Sequence, residues 1–251
     1  LHSDTTDDGV TFTDSSSNTH AITAAGDVKH SSSQSKIGSS SIYSTDTNGA
    51  GLTVDASDAS WDSGTNSFTW EAWIRTADKT KTQQIISFYG SGSGELGENS
   101  YMRLHGGSFK GIINGQNLVS GETISNDTWH HVCFERTSTT QFHVYVDGVK
   151  TSSSGFSSHS IAANAATIGN HLVTTSDNAE AFNGYIDELR ISNVARYNGT
   201  AFTPSTTAFT SDANTVLLVH ADSDSTTFTD SSPIAAVAGK IAQLHGWAVN
   251  Y

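Results

Sequence analysis

Apolar and polar residues alternate along much of this chain with a period of two, the period of a half-buried strand. Phe68-Thr69-Trp70-Glu71-Ala72-Trp73-Ile74-Arg75 is the longest such run, and Phe142-His143-Val144-Tyr145-Val146 is another. The second run meets Asp147-Gly148, a strong hairpin signal, and returns through Val149-Lys150-Thr151. The same reading predicts strands over Ser41–Ser44, Leu52–Asp55, Gln84–Tyr89, Tyr101–Leu104, Phe109–Ile113, Trp129–Glu135, Ala166–Gly169, Tyr185–Ser192 and Val216–His220. Turn residues separate them and helical periodicity is nearly absent. The pattern predicts an all-β fold, an antiparallel two-sheet jelly-roll sandwich with Trp70, Trp73, Phe134, Val144 and Ile186 pointing between the sheets.

One hexapeptide recurs. Thr11-Phe12-Thr13-Asp14-Ser15-Ser16 returns as Thr227-Phe228-Thr229-Asp230-Ser231-Ser232, a whole domain later, and too few residues follow it for another sandwich. The chain therefore divides into a sandwich over 1–213 and a segment over 214–251 that resembles the start of a second unit. Two placements are open for Val216–His220: a strand folded back onto its own domain, or one added to a neighbouring subunit. The tail carries Ile234, Val237, Ile241, Leu244, Trp247 and Val249 with few charges, which points to packing or an interface, hence a homo-oligomer or a larger assembly. No signal peptide is visible, and the opening Leu1 points to a processed or excised start.

Composition narrows the function. The 251 residues are 15% charged, with net charge −13. That acidity disfavours nucleic acid and suits a salty exterior. No apolar stretch is long enough for membrane insertion. The single cysteine, Cys133, excludes an intrachain disulfide and reads as a buried thiol within Val132-Cys133-Phe134.

The ordered set of motifs resembles the laminin-G-like members of the concanavalin A-like lectin/glucanase superfamily, especially the tandem type of phage and bacterial surface proteins. The residues that carry this are His2-Ser3-Asp4, Phe12-Thr13-Asp14-Ser15-Ser16, Ser35 to Ser41, Phe68 to Arg75, Asp127-Thr128-Trp129-His130-His131-Val132, Tyr145-Val146-Asp147-Gly148 and Asn183 to Ser192. The resemblance implies a structural calcium where the acidic opening loop meets the closing strand, with Asp4, Asp14, Asn18 and Asp187 as ligands. Read without the resemblance, Asp14 and Asn18 make turns. It also implies that Trp70, Trp73 and Trp129 are core residues.

The leading expectation is a non-catalytic module on an extracellular or virion surface that binds a cell-surface or extracellular glycan. Its ligand residues would be Tyr89, Tyr101, Arg103, His105, Asn114 and Gln116 on the concave face. The alternatives are a ligand-free module that builds a capsid or filament, and a polysaccharide hydrolase. A hydrolase needs two carboxylates flanking one bond. Asp187 and Glu188 are adjacent, so on a regular strand they would point to opposite faces. The eleven histidines show no metal-ligand spacing.

Overall fold

A computed structural model describes residues 2–3, 8–12, 14–47, 49–55, 63–89, 100–156, 165–171 and 180–223. Its strands are β1 (His2–Ser3), β2 (Ile22–Ala25), β3 (Lys29–Ser31), β4 (Ser41–Ser44), β5 (Gly51–Asp55), β6 (Phe68–Thr76), β7 (Gln83–Tyr89), β8 (Ser100–His105), β9 (Ser108–Ile113), β10 (Gln116–Thr123), β11 (His130–Arg136), β12 (Gln141–Val146), β13 (Val149–Gly155), β14 (Ala165–Ile168), β15 (Gly184–Ser192), β16 (Thr215–Val219) and β17 (Asp222–Ser223). The described residues contain no helix.

Two antiparallel sheets face each other. The seven-stranded sheet runs β10-β9-β8-β7-β14-β5-β2; the eight-stranded sheet runs β13-β12-β11-β6-β15-β4-β3, with β16 also paired to β15. A two-stranded parallel ladder joins β1 to β17, with His2 opposite Asp222. The turns Asn114-Gly115 and Asp147-Gly148 have positive φ at both residues, as the hairpin turn of the primed type requires.

Alternation decides which side chains fill the space between the sheets. Phe68, Trp70, Ala72 and Ile74 of β6, Val132 and Phe134 of β11, and Ile186 of β15 are buried in one apolar cluster with Ile86, Met102, Leu104 and Phe109 of the other sheet. Phe68 stacks on Trp70 with ring centroids 4.3 Å apart, and Phe134 meets Trp70 edge-on at 5.6 Å. Gly111 of β9 faces Phe134 so closely that a Cβ there would lie 2.3 Å from its ring. Trp73 departs from the expectation. It is three residues from Trp70, so the pleat sends it to the outer face of β6, where it is buried against His131 with ring centroids 5.3 Å apart. Trp129 lies outside the core as well; it precedes β11 and is half-buried against Tyr185.

The outer face of the eight-stranded sheet is covered in part by the connection 193–214. Three buried glutamates hold it there. Glu71 accepts from Arg190 Nε and Nη2 at 2.8 and 2.6 Å and from the Tyr197 hydroxyl at 2.5 Å, and its Oε2 lies 3.2 Å from His131 Nε2. Glu135 accepts the backbone N–H groups of Tyr197, Asn198 and Gly199 and the Tyr145 hydroxyl, at 2.7–3.1 Å. Glu188 accepts the Phe209 N–H at 2.6 Å and pairs with His220. Phe202 donates its N–H to the Gly148 carbonyl at 2.9 Å, an approach possible because Gly148 has no Cβ: one would lie 1.9 Å from the Phe202 carbonyl oxygen. Cys133 is buried in this layer, and burial, with Glu71 and Glu135 nearby, pushes its thiol well above the ordinary range.

Of the two placements open for Val216–His220, the structure shows the fold-back one. Every residue of β16 is buried, and Leu189, Arg190 and Ile191 of β15 pair with Val219, Leu218 and Leu217. The opening loop locks it from the other side. Asp14 Oδ1 accepts the N–H groups of Ser16 and Leu218 at 2.8 and 3.0 Å. Its Oδ2 accepts the Ser16 hydroxyl and the His20 N–H at 2.7 and 2.9 Å. Ser15 N–H donates to the Leu218 carbonyl and Asn18 Nδ2 to that of Val216, with Ser16 Oγ 2.8 Å from the same Val216 oxygen. The sandwich thus extends through 219, beyond the expected boundary at 213. The second hexapeptide and the apolar tail lie outside the described residues.

Two predictions follow from these carboxylates. Burial pushes the Glu71 carboxyl up, but the His131 ring nitrogen 3.2 Å away, the Arg190 charge and the Tyr197 hydroxyl outweigh it and hold it at about 2, below the ordinary 4.5. A folded-state value below the unfolded one stabilises the fold above pH 4.5, and that gain drains away as the pH falls from 4.5 toward about 2. Denaturant unfolding of Glu71→Gln is expected to show a loss of about 3 kcal/mol at neutral pH and a flatter acid limb than the wild type. Asp14→Asn keeps the shape but sets an amide against backbone donors; a loss of about 3 kcal/mol, or roughly 6–12 °C in Tm, is expected by calorimetry. That loss should be equal in calcium and in chelator, because the partners of Asp14 are hydrogen-bond donors; a loss seen only in calcium would make Asp14 a metal ligand.

Candidate ligand face

Each strand of the seven-stranded sheet turns alternate side chains inward to the core and outward. Cross-strand register aligns an outward row of Thr23, Thr53, Thr167, Ser87, Tyr101, Ile112 and Asn117. A second outward row holds Gln84, Arg103, Lys110 and Val119. Around Tyr101 the face is polar. The Arg103 guanidinium lies 5.1 Å from the Tyr101 ring centroid, and His171 meets that ring edge-on at 6.4 Å. Glu180 Oε2 accepts the Gln84 amide at 2.5 Å, and its Oε1 stands 3.9 Å from Arg103 Nη1. Arg103 Nε and Thr167 Oγ1 are buried and have no hydrogen-bond partner. Burial raises the Tyr101 hydroxyl above its ordinary value. The Lys110 charge, then burial, lowers His105.

This face brings together Tyr101, Arg103 and His105, which alternate along β8 and share its outward side. His105 sits at the far end, hydrogen-bonded to the Thr82 hydroxyl at 2.8 Å. Asn114 lies in the β9–β10 turn beyond the opposite end of β8, roughly 15–20 Å of strand away from His105. Gln116 pairs with Ile113, a core residue, so it belongs to the inward parity and not to this face. Tyr89 ends β7, and its side chain lies outside the described residues. Sequence reading missed Gln84 and Lys110, although the register of the Gly106-Gly107 hairpin places Lys110 opposite Arg103. His171 and Glu180 come from distant loops, and no local signal marks them.

Asp14, Asn18 and Asp187, expected as calcium ligands, make hydrogen bonds to the backbone. Asp14 spends both oxygens on four donors, as described above. Asp187 Oδ2 accepts the N–H groups of Lys36 and Ile37 at 2.8 and 3.1 Å, and its Oδ1 that of Glu188 at 2.9 Å. Asn18 turns its Nδ2, a donor, toward Val216. Backbone N–H groups thus engage both carboxylates, whereas a calcium ion would take oxygen ligands. Among the described residues no group of three His, Cys, Asp or Glu side chains is arranged to hold a metal ion. Asp4 lies outside the described residues.

Asp187 and Glu188 differ from the regular alternation expected of them. A bulge interrupts β15 between Asp187 and Arg190, and Glu188 takes a φ of 49°. Both carboxylates are buried and filled by donors, which leaves neither to flank a glycosidic bond.

Comparison with known proteins agrees with this architecture. Domain 4 of AbnA, a GH43 extracellular arabinanase from Geobacillus stearothermophilus, solved in complex with arabinotriose, superposes with a TM-score of 0.50 at 18% identity over 70% of this chain and 83% of that one. The binding domain of botulinum neurotoxin serotype G gives 0.52 at 13% identity over 74% and 48%. The binding domain of Paraclostridial Mosquitocidal Protein 1 gives 0.51 at 14% identity over 75% and 49%. The chain spans about half the length of these two toxin domains, and at such identities the likeness is one of fold. No curated protein matches the sequence. The family model described as the concanavalin A-like lectin/glucanases superfamily, of the laminin G type, matches residues 46–200, which run from the β4–β5 connection through β15 to the strap, and the chain belongs to that family.

Proposed function

We propose that the chain is a non-catalytic glycan-binding module, working at an extracellular or virion surface as part of a larger assembly, and that its ligand lies on the outward face of β7, β8 and β9. The observation that supports this most directly is the arrangement around Tyr101. An aromatic ring, a guanidinium and an amide stand on the neighbouring strands β7 and β8, and the Glu180 carboxylate joins them from a loop. A sugar presents an apolar C–H face to a ring and hydroxyls to charged groups, so this mixture suits it. The arabinotriose complex of the structurally similar arabinanase domain is consistent with the reading. The buried, donor-filled carboxylates of Asp187 and Glu188 weigh against the hydrolase alternative.

A glycan array followed by titration tests the proposal. Tyr101→Ala and Arg103→Gln are each expected to weaken the best array hit about tenfold or more. Gln116→Ala, on the other parity, should leave it unchanged. Binding that survives both face variants, or no glycan bound at all, would overturn the reading in favour of a packing module.

A further inference from the structure

The strap 193–214 covers only part of the outer face of the eight-stranded sheet. Beyond it, the register of β3, β4, β15 and β6 aligns Lys29, Tyr43, Tyr185 and Arg75 in one row across the strands. Trp129 continues it, since it precedes His130, which pairs with Ile74. Tyr43 and Tyr185 have ring centroids 4.9 Å apart, and Trp129 lies 6.5 Å from Tyr185. All three rings are half-buried, so each keeps an edge or face in solvent. Their counterparts Trp73, Tyr145 and Phe209 on the same side of the sheet are buried.

The row is held in place by charge and yet carries little of it. Lys29 sits over the Tyr43 ring at 5.9 Å and pairs with Asp8. Arg75 sits 5.7 Å from the Tyr185 ring centroid and pairs with Asp127 at 3.0 Å. Each cation thus meets an aromatic face and a carboxylate at once, which fixes the rings and neutralises the row. The two carboxylates stay largely in solvent, Asp8 at 69% and Asp127 at 65% exposure, where they can accept from hydroxyl groups. A row of apolar rings bordered by exposed acceptors matches a molecule with a C–H face and a rim of hydroxyls, without net charge. The rings are tilted from one another by 39° and 53°, so a chain following them must turn from one unit to the next.

We propose that Tyr43, Tyr185 and Trp129 form a second glycan platform, for an uncharged pyranose chain, on the side of the sandwich opposite Tyr101. It does not depend on the first face being a binding site. The probes are laminarihexaose and cellohexaose, titrated into the full chain while tryptophan emission is followed. A saturable change with at least one hexaose is expected, and Trp129→Phe should abolish it while calorimetry still detects binding. Tyr185→Ala should weaken binding about tenfold. Tyr43→Ala, at a shorter strand, repeats the test should Tyr185→Ala lower the Tm. Tyr101→Ala should keep the Trp129 signal. The platform is overturned if neither hexaose gives a Trp129-dependent change, or if the change survives Tyr185→Ala and Tyr43→Ala but disappears in Tyr101→Ala. The last result would leave the first face as the binding site, so the two proposals fail separately.

Discussion

The strap over the outer side of the eight-stranded sheet depends on carboxylates that have been taken out of water. A buried carboxylate without donors is costly, so each one here specifies which backbone must come to it. Glu135 gathers three successive amides of the strap, Glu188 a fourth further along, and Glu71 closes the middle through Arg190 and Tyr197. Asp14 and Asp187 use the same device on the loops at the sheet edge. The strap has no strand or helix of its own to define its path. It is fixed because alternative paths would leave charges buried and unpaired.

This device accounts for much of what was legible in the sequence and what was not. The strands with clean alternation, β6, β12 and β15, and the Asp147-Gly148 hairpin are read directly, because periodicity and turn chemistry are local. β10 was missed although Asn114-Gly115 announces it: Gln116-Asn117-Leu118-Val119-Ser120-Gly121 has too few apolar residues to show a period. β2 (Ile22-Thr23-Ala24-Ala25) and β3 (Lys29-His30-Ser31) are short and hold only one large apolar residue between them, so they show no alternation. Trp73 and Gln116 were misplaced by parity, which a strand alignment would have corrected.

The acidic residues illustrate a harder limit. Asp14 and Asp187 are conspicuous in sequence, and a carboxylate looks the same there whether it is to hold a cation or an amide. Only the direction of the neighbouring N–H groups separates the two, and those come from residues 151 and 204 positions away. The candidate face was partly legible for the same reason: Tyr101, Arg103 and His105 share one strand, whereas Glu180, which orients Gln84, arrives from another part of the chain.

The parallel pairing of His2–Ser3 with Asp222–Ser223 has a mechanical consequence. The two segments run side by side and in the same direction, about 4.8 Å apart. Opposed pulls on these two strands along their axis would shear their short ladder and the β15–β16 seam next to it, while the seven-stranded sheet carried almost no load. Under such tension both broad sides of the sandwich would keep their shape.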